Sequence, residues 1–487
     1  MDEIRLRLAP SPTGFLHIGN LRTALFGYLL SKNMQGKFIL RIEDTDQKRE
    51  VKGAVDSLIK VLDWAGIKFD EGPHIKGDYG PYVQSERMDI YKQHAEKLLK
   101  NKHAYRCFCS TERLEKIRTE QTSKKQAQRY DRTCRNLSED EVKSKISNNE
   151  PFVIRQKMPE TGDIVVYDEL RGNIKFKASE LEDHILVKSD NMPTYQLANV
   201  VDDHLMKISH ITRGEEWIPS APKNLLLYKS FNWDIPKFIH LPLILNKEGG
   251  KLSKRQSDVF VEDFKQLGYL PQALINSCAL LGWHPKGDNE IFSLEELEKE
   301  FNIEGMGSSS AVFDLEKLNY FNGYYIRKMD LDKLVEISKP YFEENLKSAS
   351  LEQKGDDYLK SVMKLEQDRL KKLSDITERT KLFFVQNLDY EPELLVWKKS
   401  NKQATKDNLE QTLNQLEKIS DKDWNQNTLE QIMMSYIESK PAGVGDFLWP
   451  MRVALTGEKN SPGPFEVAEV LGKKISLERI KQAIDKL

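Results

Sequence analysis

An α/β domain of parallel strands, interrupted by an α+β insertion and followed by an all-helical C-terminal third, is the fold class predicted by three features of the sequence. Residues 1–45 read as strand, loop, helix and strand; between about Tyr91 and Pro193 the composition shifts to charged helices and short alternating segments; from about Asp330 amphipathic helical patterns rich in Leu, Lys and Glu take over. A chain of 487 residues that is 39% hydrophobic and 31% charged is too long for one ordinary core and too apolar for disorder, so several packed domains are expected.

The elements follow in order. Ile4, Leu6 and Leu8 alternate with Arg5 and Arg7 as in a half-buried strand, and Pro10, Pro12 and Gly14 then break the chain. Leu21, Leu25, Tyr28 and Leu29 recur at helical spacing from Ile18 to Lys32, and after Asn33 and Gly36 the run Phe38, Ile39, Leu40 and Ile42 makes a second strand. Handedness and connection length favour a parallel pair with a ligand crevice at the carboxyl ends of its strands, where the loop from Ala9 to Gly19 lies. The insertion holds a polar stretch from Gln121 to Arg135 and alternating segments at Phe152 to Gln156 and Ile164 to Tyr167. Regular α/β signals return with Tyr195 to Val201, Lys207 to Thr212 and a helix from Ala221 to Phe231. Helical patterns then run over Leu331 to Phe342, Tyr358 to Phe384 and Leu409 to Ile419, with a weak linker from Asp389 to Glu393. The expected boundaries are 1–90 and 194–330 for the two halves of the α/β domain, 91–193 for the insertion, and 331–390 and 391–487 for two helical domains.

Composition narrows the function classes. No apolar run reaches the roughly 18 residues a membrane helix needs, and Met1 to Ile4 lack the blocks of a signal peptide, so a soluble cytoplasmic protein without a membrane partner is expected. A net charge of −2 argues against a uniformly basic body; any nucleic acid must meet a face onto which part of the 74 Lys and Arg is segregated. Four cysteines are few for the length, and Cys107, Cys109 and Cys134 cluster, which points to metal or to nothing rather than to disulfides. Cys278, among Leu274, Ala279, Leu280 and Leu281, reads as core.

Two short elements carry the chemistry. His17, Ile18, Gly19 and Asn20 sit where the first loop becomes the first helix, and a helix N-terminus offers free N–H groups and positive dipole to a phosphate. Gly19 lets a nucleotide approach the backbone and His17 can donate to phosphate; alone, such a histidine is more often a cap. Lys251, Leu252, Ser253, Lys254 and Arg255 follow Gly249 and Gly250, and two lysines on a glycine-hinged loop can close over a triphosphate and stabilise charge at its α-phosphorus. Alone, this is more often a solvated basic loop. Their pairing in one chain changes the balance.

Together the His-Ile-Gly-Asn and Lys-Leu-Ser-Lys-Arg stretches resemble the HIGH and KMSKS signatures of class I aminoacyl-tRNA synthetases, with Asn20, Leu252 and Arg255 as departures. Arg7 to Gly14 (RLAPSPTG), Arg41 to Asp46 (RIEDTD), Tyr195 to His204 (YQLANVVDDH) and Ile211 to Trp217 (ITRGEEW) narrow the resemblance to bacterial-type glutamyl-tRNA synthetases, over essentially the whole chain. It implies a Rossmann-type catalytic domain with an inserted acceptor-stem-binding module and all-α anticodon-binding domains, acting with ATP and Mg²⁺ on L-glutamate and tRNA(Glu) as a monomer, with no role for DNA.

The resemblance also implies roles. Arg7 and Arg213 match residues that grip the substrate γ-carboxylate, Glu43 the one that receives the α-ammonium, and Ala9, Ser11, Tyr195 and Asn199 the rest of that pocket. This suits the chemistry, because a guanidinium meets a carboxylate through two parallel hydrogen bonds. A glutaminyl enzyme, whose substrate ends in a neutral amide, has no use for Arg213. ATP is expected against His17, Gly19, Asn20, Glu216, Trp217, Lys251, Leu252, Ser253 and Lys254, with His17, Lys251 and Lys254 stabilising charge, since neither of the two steps needs a protein nucleophile. A short paralogue that loads a tRNA base would lack the helical third, and a non-catalytic derivative would lose the signature His and Lys. A non-discriminating form that also charges tRNA(Gln) is the alternative.

Cys107, Cys109 and Cys134 with Tyr130 have a spacing that could close a tetrahedral zinc site, which some relatives hold; His103 is the other fourth ligand, and buried free cysteines are the bland reading. In the last third, Arg369, Lys371 and Lys372 lie on an expected helix. Met451 to Pro464 resembles the anticodon-reading loop, in which Arg452, Ser461 and Pro464 match base contacts, and Arg369 matches the arginine that separates glutamate from glutamine anticodons. A solvated helix face is the plain alternative for Arg369.

Overall fold

The computed structural model describes residues 3–12, 14–45, 51–250, 252, 260–351 and 355–487. The chain divides into two compact units, one of residues 1–265 and 271–315, the other of residues 266–270 and 316–487.

In the first unit β1 (Arg5–Leu8) leads through a loop to the helix Ile18–Asn33 and back to β2 (Lys37–Leu40), which pairs parallel with β1. The helix is buried on almost every side, as expected of one enclosed by protein rather than lying on a surface. β1 departs from the half-buried strand that its alternation predicts: all four residues are buried. It lies between β2 and the start of a second sheet, where Ser209 N–H donates to Arg5 O at 2.9 Å, and an interior parallel strand is covered on both faces. Its two arginines are tolerated because each meets a carboxylate, Arg5 that of Glu71 at 2.8 Å and Arg7 that of Asp203 at 2.9 Å.

The inserted stretch contributes two structures. β3 (Ala104–Cys107), β4 (Val153–Gln156) and β7 (Ile185–Val187) form an antiparallel sheet. β5 (Asp163–Asp168) and β6 (Gly172–Lys177) form a hairpin that joins the central sheet, in the order β6, β5, β9 (Lys237–Leu241) and β8 (His210–Gly214), with Asp168 aligned to Phe238. β8 and β9 run parallel, and Tyr195–Leu205 and Ala221–Phe231 are the helices before and after β8. β10 (Ile244–Leu245) pairs with β11 (Ala311–Val312).

The second unit is helical. Leu331–Lys347, Gly355–Glu366 and Asp375–Thr380 bury Phe342, Val362 and Ile376; Lys402–Leu416, Gln426–Glu438, Val444–Thr456, Pro464–Leu471 and Lys473–Lys486 bury Leu409, Met433, Met451, Val467 and Ile480. The single helix predicted from Tyr358 to Phe384 is broken. Arg369 ends a one-turn 3-10 segment, and Lys371 and Lys372 lie in the loop after it rather than on a helix. The Asp375 carboxylate accepts from the N–H groups of Lys371 and Lys372, both at 3.1 Å, and Asn322 Nδ2 donates to Lys371 O at 2.7 Å. These side chains replace the helical backbone partners, so Leu370 and Leu373 turn inward at the break. No helix among the described residues is long and apolar enough to cross a membrane.

Candidate active site

β1 and β8 end beside one another, and the loop after β1, the start of the first helix and the segment after β8 enclose a crevice of about 710 Å³. Arg7, Ala9, Ser11, His17, Gly19, Asn20, Glu43, Tyr195, Arg213, Glu216, Trp217 and Leu252 all line it. It opens where strands from two sheets diverge, the usual ligand position in such folds.

One end gathers buried charged groups of both signs. Arg213 is buried; its Nε donates to His240 Nε2 at 3.0 Å, while Nη1 and Nη2 have no hydrogen-bond partner among the described residues. Buried guanidinium nitrogens without acceptors are costly unless a ligand supplies them, and a carboxylate fits two. Arg7 is more engaged, giving Nε and Nη2 to Asp203, which also accepts from Arg41 at 2.7 Å. Burial alone would push the Asp203 carboxyl up; Arg41 and Arg7 outweigh it and hold it below the ordinary range. Glu43 accepts from Arg41 at 3.0 Å and from Asn199 Nδ2 at 3.1 Å, and burial raises its carboxyl above the ordinary value, with Arg41 and Arg7 opposing. Among the described residues Asn199 Oδ1 has no partner, and Asn199 stands behind Glu43 rather than on the crevice wall. The Tyr195 ring packs on Trp217, centroids 4.6 Å apart. An ammonium and a carboxylate have complementary surroundings here.

The other end suits a nucleotide. His17 caps the first helix, its Nδ1 accepting from Gly19 N–H at 3.0 Å, so a neutral ring carries its proton on Nε2. The ring that caps the helix also lines the crevice. Arg22, one turn into the helix, donates to Pro242 O at 2.6 Å, and burial lowers it to about 10. The Glu216 carboxylate folds back over Gly214, so a side chain at position 214 would displace it. Leu252 N–H donates to Ile244 O at 3.0 Å and brings the start of the second signature to the crevice. Lys251, Ser253, Lys254 and Arg255 lie outside the described residues, as do Thr13 and Asp46 of the matching motifs.

Arg41, Asp203, His240 and Asp168 were not singled out from the sequence, yet they hold the pocket residues in place. A buried charge in the second half of YQLANVVDDH and a histidine inside the apolar run after Lys237 are the signals that could have found them.

The cysteines converge. The sulfurs of Cys107, Cys109 and Cys134 lie within 4.8 Å of one another, Cys109 and Cys134 at 3.5 Å. The Tyr130 hydroxyl lies 3.2 Å from Cys107 Sγ and 3.7 Å from Cys109 Sγ. Zn–S bonds of about 2.3 Å put tetrahedral sulfurs about 3.8 Å apart, so the donors fit a zinc ion. His103 is not in this group. Hydrogen bonding from Cys134 holds the Cys107 thiol below its ordinary range, with burial opposing and Tyr130 reinforcing.

In the helical unit, Arg369 pairs with Glu366 at 2.8 Å and donates to Asn460 O at 2.6 Å, which ties it to the loop bearing Ser461. Ser461 donates to Pro462 O at 3.0 Å, Arg452 lies on the helix Val444–Thr456, and Pro464 opens the next helix.

Fold and crevice belong to a defined class: residues 3–320 match the catalytic domain of the class I tRNA synthetases (E and Q), and residues 333–484 an anticodon-binding domain. A glutamate–tRNA ligase of Clostridium botulinum is 46% identical over 489 aligned positions, covering 100% of this chain and 99% of its own. One from Clostridium acetobutylicum is 45% identical over the same shares. The crystal structure of a glutamate tRNA ligase from Elizabethkingia meningosepticum, in complex with its amino acid, superposes with a TM-score of 0.91 at 36% identity, covering 99% of each chain. The chain belongs to the glutamate–tRNA ligase family.

Proposed function

We propose that the protein ligates L-glutamate to the 3′ end of tRNA(Glu) in two steps, the first of which consumes ATP. The glutamate α-carboxylate attacks the α-phosphorus of ATP to give glutamyl-adenylate and pyrophosphate; a hydroxyl of the terminal tRNA ribose then attacks the acyl carbon and AMP leaves. The observation that carries this reading is Arg213, whose two buried nitrogens, without partners among the described residues, share the crevice with Arg7 and the buried acid Glu43. The γ-carboxylate meets Arg213 and Arg7, and the α-ammonium meets Glu43, with Ala9, Ser11 and Tyr195 completing the pocket and Asn199 supporting Glu43 from behind.

ATP lies along Gly19, Asn20, Glu216, Trp217 and Leu252. His17 donates from Nε2 to its phosphates, and Lys251, Ser253 and Lys254 close over them. Mg²⁺ neutralises the triphosphate with few protein ligands. Cys107, Cys109, Cys134 and Tyr130 hold a structural zinc, residues 91–193 receive the acceptor stem, and the helical residues 331–390 and 391–487 read the anticodon, using Arg369, Arg452, Ser461 and Pro464. The protein acts as a monomer in the cytoplasm.

The test is aminoacylation of purified tRNA(Glu) with radiolabelled glutamate or glutamine. Formation of glutamyl-tRNA alone is expected; no product, or charging with glutamine, overturns the reading. Including tRNA(Gln) separates a discriminating enzyme from a non-discriminating one.

A further inference from the structure

Arg7 and Arg213 line the same crevice but are anchored differently. Arg7 is held by a carboxylate, which offsets its charge. Arg213 is held through Nε alone, by the neutral acceptor Nε2 of His240. For that nitrogen to accept, the imidazole proton must sit on Nδ1, which faces Asp168 Oδ2 at 2.7 Å. Asp168 has only donors around it: Oδ2 also accepts from the His240 N–H at 3.0 Å, and Oδ1 from the N–H groups of Leu170 and Arg171 at 3.0 and 3.1 Å. The acid therefore dictates the tautomer. His240 and Asp168 are fully buried and neither lines the crevice. Burial also lowers the His240 pKa, in keeping with a neutral ring.

We propose that the Asp168–His240 pair is the positioning element that aims Arg213 at the substrate side chain and leaves its charge uncompensated for a carboxylate, so that selection of glutamate over glutamine depends on it. The inference rests on the glutamate reading above. An acceptor that is itself charged would neutralise Arg213, and no acceptor at all would let the guanidinium rotate; a neutral imidazole fixed from behind avoids both.

The experiment compares steady-state charging by the full-length protein and its H240F and H240Q variants, with tRNA(Glu), ATP and either amino acid. Phenylalanine keeps the ring volume without an acceptor, whereas glutamine restores an acceptor near the Nε2 position. H240F is expected to raise the KM for glutamate about tenfold or more, to narrow the preference over glutamine, and to leave the KM for ATP within about twofold, as loss of one charge-assisted bond requires. H240Q should recover most of the loss. Unchanged glutamate KM in H240F, or equal damage in H240Q, overturns the proposal. If H240F does not melt cooperatively, D168N, which keeps the volume but places an amide donor among donors, is read by the same criterion. A parent enzyme that charges no glutamate would instead remove the reading on which the inference stands.

Discussion

Arg7 donates through Nε and Nη2 to the two carboxylate oxygens of Asp203, at 2.9 and 3.2 Å, in a buried pair at the crevice wall. Asp203 also holds Arg41, which in turn holds Glu43, so four charges form one buried chain. Removing Arg7 leaves Asp203 paired with Arg41, whereas removing Asp203 leaves two guanidinium groups without their shared acid. We expect Asp203→Leu to cost about 3–5 kcal/mol and Arg7→Met about 1–3 kcal/mol, read from urea denaturation midpoints. The reverse order would show that the acid is dispensable.

Arg213→Ala removes both nitrogens that await an acceptor. The KM for glutamate should rise about 100-fold or more while the KM for ATP changes by less than about threefold, because two charge-assisted bonds are lost at one end of the crevice only. Pyrophosphate exchange in the presence of tRNA separates the two constants.

Burial, reinforced by nearby cations, lowers His184 to about 3 and His204 and His210 to about 4. Between these values and the ordinary value of about 6.5, the unfolded chain binds more protons than the folded one, so stability falls as the pH drops through that window. Tm should be lower at about pH 5 than at about pH 7, and His184→Gln should flatten the difference. A Tm that holds or rises on acidification would contradict this.

For the cysteine cluster, elemental analysis of the purified full-length protein should give one zinc per chain, and Cys109→Ser should lose it. Tyr130→Phe should weaken retention against a chelator if the phenol is the fourth donor; identical retention would leave the three sulfurs and a water as the ligands.

Arg369→Ala should raise the KM for tRNA(Glu) with only a modest fall in Tm, since the side chain is partly exposed and the buried Glu366 it leaves keeps Arg379 at 3.4 Å. A large fall in Tm with unchanged tRNA KM would make it a structural residue.

Local pattern carried much of the fold. The strand, loop, helix and strand of the first 45 residues, and the helix Ala221–Phe231, were legible because apolar spacing and breakers agree there. The full burial of Arg5 and Arg7 was not, since it depends on Glu71 and Asp203, far away in sequence. The break after Arg369 was hidden for a similar reason: Asn322 and Asp375 supply hydrogen bonds that no helical periodicity encodes. In the crevice, Arg7, Glu43 and Arg213 stood inside recognisable motifs, whereas His240 and Asp168 are 72 positions apart and meet only because β5 joins β9.

His17 has a consequence for what the chain can tolerate. The imidazole that faces the crevice also begins the first helix, and its tautomer is decided by the Gly19 N–H before any ligand arrives. With the phosphate-binding role proposed for His17, substitution at this position passes two independent filters: the newcomer must accept a hydrogen bond from the backbone and also present a donor to the crevice. Asparagine can meet both demands with its two-sided amide; lysine and arginine, good phosphate partners elsewhere, fail the first, because they have nothing with which to accept.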